Sequence, residues 1–121
     1  MVLKKIDMLF SICKLESLSG IDFSQEFLFL GKTDEELSLV CPQSSVPGSA
    51  VKQDDGWCAF RIEGELDFAL TGILSKIASV LADEKIGIFA VSTYNTDYIL
   101  TKAHNIDRAL QVLSNAGYKI V

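Results

Sequence analysis

The stretch that decides the fold runs from Trp57 to Val121: WCAFRIEG (57–64), ELDFALTGILSKIASVLADEK (65–85), IGIFAVST (86–93), YNTDYILTK (94–102), AHNIDRALQVLSNAG (103–117) and YKIV (118–121). In residues 57–63, Cys58, Phe60 and Ile62 share one face while Trp57, Ala59, Arg61 and Glu63 share the other. That period of two predicts a half-buried strand, and Gly64 ends it. Over residues 67–82, Leu70, Ile73, Leu74, Ile77 and Leu81 recur at helical spacing and form one core-facing stripe. Glu65 and Asp67 lie at its start, where acidic side chains suit the positive end of the helix dipole. Residues 86–93 are apolar on both faces, as in a central strand covered by helices. Tyr94, Asn95 and Thr96 turn the chain, and residues 98–102 return as a strand. In the second helix Asn105 is the expected N-cap and Ile106, Ala109, Leu110 and Leu113 make the stripe. Gly117 stands where a glycine ends a helix, and residues 118–121 are a last short strand.

The order is βαββαβ, the split βαβ plan of a ferredoxin-like α+β domain. It predicts a four-stranded antiparallel sheet with both helices on one face. Residues 1–56 read as a strand-rich version of the same idea. Met8, Phe10 and Ile12 alternate in a strand over 8–15, and residues 27–32 and 37–41 make a hairpin around 33–36. Pro42 stops the second hairpin strand because it cannot donate to a ladder. Residues 43–56 are the longest irregular stretch, with room for a short helix near 44–46. They form the expected joint between a first half, 1–56, and a second, 57–121.

Composition narrows the function classes. A chain of 121 residues, 49% hydrophobic and 22% charged, is an ordinary globular protein. Its formal charge of −5, with no Lys/Arg cluster, argues against a nucleic-acid surface. No apolar run nears the ~20 residues that span a bilayer, and Asp7 interrupts the first apolar run, so no membrane segment and no signal peptide are expected. These features point to a cytoplasmic location. Cys13, Cys41 and Cys58 are widely spaced and each lies in an apolar strand-like run, which reads as three buried free thiols rather than a metal site. There is no Ser/His/Asp arrangement, GxGxxG or phosphate loop, and no cofactor is expected. His104, just before a helix, is expected to face solvent.

The runs IEGELDFALTGIL (62–74) and IGIFAVSTYNTDYIL (86–100) resemble the ACT-domain family. More narrowly, the chain is similar to the small two-ACT proteins grouped with CASTOR-type arginine sensors and aspartokinase regulatory domains. ELSLVCPQSSVP (36–47), followed by Gly56 and Trp57, is similar to the first-half pattern of those proteins. The resemblance implies two ACT-like units in tandem, the first degenerate, with strands able to interleave. It further implies a homodimer, and an amino acid or similar small molecule bound between ACT units. In the arginine-sensor relatives an Asp matching Asp97 contacts the ligand, and a loop matching residues 64–67 helps close the pocket.

The topology places a candidate site independently. In a βαββαβ unit the loop after the first strand and the turn after the second emerge at one end, and the connection at Ala116 and Gly117 arrives there too. The residues expected there are Glu65, Asp67, Thr93, Tyr94, Asn95 and Asp97, and the resemblance adds Gly64 and Leu66 of the same loop. A helix start can hold a carboxylate, and a carboxylate side chain can hold an ammonium. Plainer roles stay open: Asp67 as a helix-start residue, Tyr94 and Asn95 as turn formers, Asp97 as a partner of its own hairpin. Thr71 and Gly72 are expected to permit close helix–sheet packing. The expectation is a non-catalytic regulatory protein that binds an amino acid and acts through a dimer or an unknown protein partner. The alternative is an adaptor that has lost its ligand and serves only dimerisation or protein contact.

Overall fold

The computed structural model describes residues 1–64, 67 and 71–121. Its strands are β1 (Val2–Leu15), β2 (Phe29–Lys32), β3 (Leu37–Pro42), β4 (Ala50–Ile62), β5 (Phe89–Ser92), β6 (Asp97–Lys102) and β7 (Lys119–Ile120). The helices are α1 (Ile73–Asp83) and α2 (Ile106–Asn115), and short 3-10 turns occupy Gln43–Ser45 and Ala103–Asn105. Among the described residues no helix is long and apolar enough to cross a membrane. The chain divides into two compact units, one of Met1–Asp7 with Cys58–Val121 and one of Met8–Trp57. The long strands β1 and β4 each contribute residues to both.

The larger unit carries the expected α+β plan. Cys58, Phe60 and Ile62 of β4 and Ile99 of β6 share one core with Ile77 and Leu81 of α1 and with Ile106, Ala109 and Leu113 of α2. The three β4 residues are of one parity and meet residues of both helices, so both helices lie on the same face of the sheet. Leu3 and Ile86 close the same core. The helical stripes are therefore the ones the spacing indicates, save Leu70, which lies outside the described residues.

Four expectations are corrected. The sheet of this unit is not four antiparallel strands: its order is β7-β1-β4-β6-β5. β1 is inserted beside β7 and runs parallel to it, Val2 opposite Lys119 and Leu3 opposite Ile120. Pairing partners distant in sequence leave no local signal. Residues 86–93 are not a central strand either, since β5 spans only Phe89–Ser92 and ends the order; a run apolar on both faces does not distinguish a centre from a half-exposed edge. Helix α1 starts at Ile73, six residues after Asp67, because Gly72 at φ 78° precedes it in a left-handed conformation. Among the described residues no heavy atom lies within 4 Å of where a Cβ on Gly72 would sit, so there the residue serves backbone conformation and not close packing. Finally, Asn105 precedes α2 but its side chain makes no capping bond; the 3-10 turn leads in instead. The helix ends as expected, with Gly117 at φ 105° and Tyr118 N–H donating to Leu113 O at 3.1 Å.

Helix α1 ends on a non-glycine residue in the left-handed region, Lys85 at φ 57°. Its N–H donates to Ala82 O at 2.9 Å and that of Ile86 to Leu81 O at 3.0 Å. A side chain there costs about 1 kcal/mol relative to glycine. Lys85→Gly should therefore raise the unfolding free energy by about 0.5–1 kcal/mol in urea denaturation. A loss instead would show that the lysine side chain contributes more than its backbone strain.

The smaller unit follows the hairpin reading. β2 and β3 pair antiparallel from Phe29 opposite Val40 to Lys32 opposite Leu37, and Thr33 N–H donates to Glu36 O at 3.0 Å across the turn. The order is β2-β3-β1-β4. Residues 50–56 are strand and not irregular joint; polar side chains on both faces of VKQDD leave no apolar alternation to read. Cys13, Leu15, Leu39 and Cys41 form the core of this unit, and all three cysteines are buried free thiols.

Burial pushes the Cys41 thiol up to about 12 from 9.0, with neighbouring Cys13 and the charge of Asp55 adding to the rise. Cys13 is raised too, first by burial, although its hydrogen bond with Cys41 opposes the shift. A folded-state pKa above the unfolded one means that the neutral thiol is favoured by folding. The resulting stability is fully present below pH ~9 and lost as pH rises through the window toward 12. Urea unfolding should show wild type losing more stability between pH 9 and 11 than Cys41→Ala, which starts less stable at pH 7. Parallel losses would place the alkaline sensitivity elsewhere.

Candidate functional site

The β5–β6 hairpin and the approach to α1 build the site. Ser92 and Asp97 face each other across the hairpin, and between them residues 93–96 form a tight turn. Thr93 N–H donates to Thr96 O at 2.8 Å and the Thr93 hydroxyl donates to the same oxygen at 3.0 Å. Thr96, 7% exposed, donates its hydroxyl to Ile62 O at 2.7 Å and so pins the turn to the end of β4. Turn residues alone specify a bend; this long-range bond specifies where it stands.

A hollow of about 290 Å³ opens beside the turn, bringing together Asp67, Thr93, Tyr94, Asn95 and Asp97 with the start of α1. Asp97 and Ile99 alternate onto the face that α1 and α2 cover, so this hollow lies on the helix side of the hairpin. Five of the expected residues thus share one cavity. Asp67 is exposed and precedes the helix rather than starting it. Glu65 and Leu66 lie outside the described residues. Sequence reasoning passed over Gly72, Ile73, Leu74 and Ser75 at the helix start and Ser92 on β5, which also line the cavity. Ser92 was legible once the turn fixes the register, because a turn closed between Thr93 and Thr96 sets Ser92 opposite Asp97.

Asp97 has a partner within its hairpin: the Ser92 hydroxyl donates to its Oδ1 at 2.5 Å. An O–H···O⁻ bond of that length is charge-assisted. A hydroxyl of its own hairpin thus serves one oxygen of this carboxylate, the plainer role left open for Asp97. Among the described lining residues there is no Lys or Arg, so the electrostatic character of the hollow is acidic. The connection at Ala116 and Gly117 does arrive at this end: with Ile73 and Lys76 it lines a neighbouring hollow of about 350 Å³.

Gly64 lies in a third hollow, of about 270 Å³, with Arg61, Glu63 and Tyr98. Thr93, Asn95 and Thr96 line it as well as the first. Arg61 and Tyr98 alternate away from the helix-covered residues, so this hollow lies on the other side of the hairpin. The Arg61 guanidinium lies 5.9 Å from the Tyr98 ring centroid. The hydrogen bond to Tyr98 raises the Arg61 pKa, against a smaller opposing effect of burial. Among the described residues no group of three His, Cys, Asp or Glu stands where it could hold a metal ion. His104 is exposed in the 3-10 turn before α2.

Comparison with known proteins agrees with this architecture. No curated protein matches the chain by sequence. Among solved structures, a protein of Agobacterium tumefaciens is 32% identical, with a TM-score of 0.87 over 98% of this chain and 90% of that one. A Vibrio cholerae protein of unknown function is 17% identical, with a TM-score of 0.76 over 92% and 85%. The aspartate kinase of Clostridium acetobutylicum is 14% identical, with a TM-score of 0.66 over 94% of this chain and 33% of that one. At these identities the last two likenesses speak for the fold alone. The profile of the ACT domain matches residues 52–115. With more than half of its length inside that match, the chain belongs to the ACT-domain family.

Proposed function

We propose that this chain is a non-catalytic regulatory protein that binds an amino acid or similar small molecule at the hairpin end of the larger unit, and that it acts in the cytoplasm through a homodimer or a protein partner. The observation that carries the reading is the hollow of about 290 Å³ that gathers Asp67, Thr93, Tyr94, Asn95 and Asp97. Two carboxylates with a hydroxyl and an amide suit a ligand ammonium, while Ile73, Leu74 and Tyr94 supply apolar surface for the rest of it. The reading keeps Gly64, Glu65 and Leu66 as candidate contacts, the last two lying outside the described residues. The fold likeness to aspartate kinase supports a regulatory role by analogy. On this reading residues 1–56 are a degenerate ACT half, which the lack of an α-helix among them supports. The strands β2 and β5 end their orders and offer edges for pairing with a second copy.

A thermal-shift screen against the twenty amino acids and common nucleotides tests the reading. A ligand at 100 times its dissociation constant stabilises the fold by about 2.7 kcal/mol, a rise of several degrees for a chain of this size. Silence across the panel would favour the second reading, a ligand-free adaptor. The Ser92–Asp97 bond favours that adaptor, because it gives the carboxylate a partner without any ligand.

A further inference from the structure

The hollow at Arg61 carries charge of both signs. Arg61 and Glu63 stand two apart on β4, and their side chains are 26% and 33% exposed. Arg61 Nε and Nη2 both donate to a single oxygen, Glu63 Oε1, each at 3.4 Å, and Nη1 donates to the Tyr98 hydroxyl at 3.2 Å. Charge-assisted N–H···O bonds in good geometry are about 2.7–2.9 Å long. The pair is therefore loosely held, and a half-exposed pair of this kind contributes little to stability. A guanidinium has five N–H donors, and among the described residues these three contacts leave two of them, together with Glu63 Oε2, for another partner. Thr93 and Asn95 add a hydroxyl and an amide to the same wall.

We propose that this hollow is a second binding site, separate from the one at Asp97, and that it takes the head of a compact zwitterion, carboxylate against Arg61 and ammonium against Glu63. A simple anion that reaches Arg61 meets the Glu63 carboxylate, and a simple cation that reaches Glu63 meets the guanidinium. Only a ligand carrying both charges a few bonds apart gains on both sides. The volume, about 270 Å³, is close to that of the first hollow and leaves room for the head of an amino acid. The site does not depend on the reading of the first hollow, because the two share only the uncharged turn residues Thr93, Asn95 and Thr96 and draw their charged groups from opposite faces of the sheet.

Glycine is the probe, titrated into the full chain and followed by ¹H–¹⁵N spectra that include the Arg61 Nε–H. Saturable shifts are expected at Arg61, Gly64 and Thr96, with acetate and methylammonium at equal concentration giving none. Arg61→Met and Glu63→Gln should each weaken glycine at least tenfold, while Asp97→Asn leaves it within twofold. If Arg61→Met does not fold, Arg61→Lys keeps the charge, loses the planar fork, and should weaken glycine severalfold. Three results would overturn the proposal: no saturation with wild type, acetate binding as well as glycine, or glycine binding that persists in the Arg61 variants. Loss of glycine in Asp97→Asn with retention in Arg61→Met would place the zwitterion in the first hollow instead.

Discussion

Replacing Phe60 by alanine should lower the unfolding free energy by about 3–5 kcal/mol, the range for emptying a large aromatic site in a packed core. Phe60 is fully buried and shares its core with Ile77 and Leu81 of α1 and with Ile106 and Leu113 of α2. It sits on β4, the strand around which β1 and β6 pair, so collapse into the vacated space would have to move two helices against a sheet. Domains of this size are stable by only about 5–15 kcal/mol, so the variant should be near the limit of folding at 37 °C. Urea denaturation at 25 °C measures it, with an unchanged slope marking a pure stability effect. Glu35→Ala, in the exposed turn between β2 and β3, is the control and should stay within about 0.5 kcal/mol. A Phe60→Ala loss below about 1.5 kcal/mol would mean that the core refills, and that the helices are less firmly seated than their shared contacts indicate.

The largest functional effect is expected at Asp97. Asp97→Asn keeps the side-chain volume and an oxygen that can accept from the Ser92 hydroxyl, so the hairpin should survive and the melting temperature should change by no more than a degree or two. What the change removes is the charge on the acidic hollow. For a ligand held there by its ammonium, loss of a charge-assisted bond should weaken binding at least tenfold, about 1.4 kcal/mol. The thermal shift produced by that ligand should collapse accordingly. Ser92→Ala is the companion variant: it deletes the hydroxyl that competes for Asp97 Oδ1, and the ligand response should be retained or increased. An Asp97→Asn protein that responds like wild type would show that the carboxylate only serves its own hairpin, and that the ammonium is held elsewhere.

By itself the sequence determined which segments bury and on which side. The period of two in Cys58, Phe60 and Ile62 and the helical spacing of Ile77, Leu81, Ile106, Ala109 and Leu113 depend on local geometry alone, and those residues form the core. It also determined that residues 93–97 bend, since turn chemistry is local. The tertiary structure decided everything that depends on partners far apart in the chain. Insertion of β1 beside β7 rests on hydrogen bonds between backbones more than a hundred residues apart, to which side-chain patterns are nearly blind. The late start of α1 turns on the left-handed Gly72, whose conformation no apolar stripe records. The candidate site divides along the same line. That Asp67, Thr93, Tyr94, Asn95 and Asp97 meet at one end follows from strand and helix order. That Ser92 satisfies Asp97, and that Arg61, Glu63 and Tyr98 open a second hollow behind the turn, follows only from register and from the Thr96–Ile62 bond holding that turn in place.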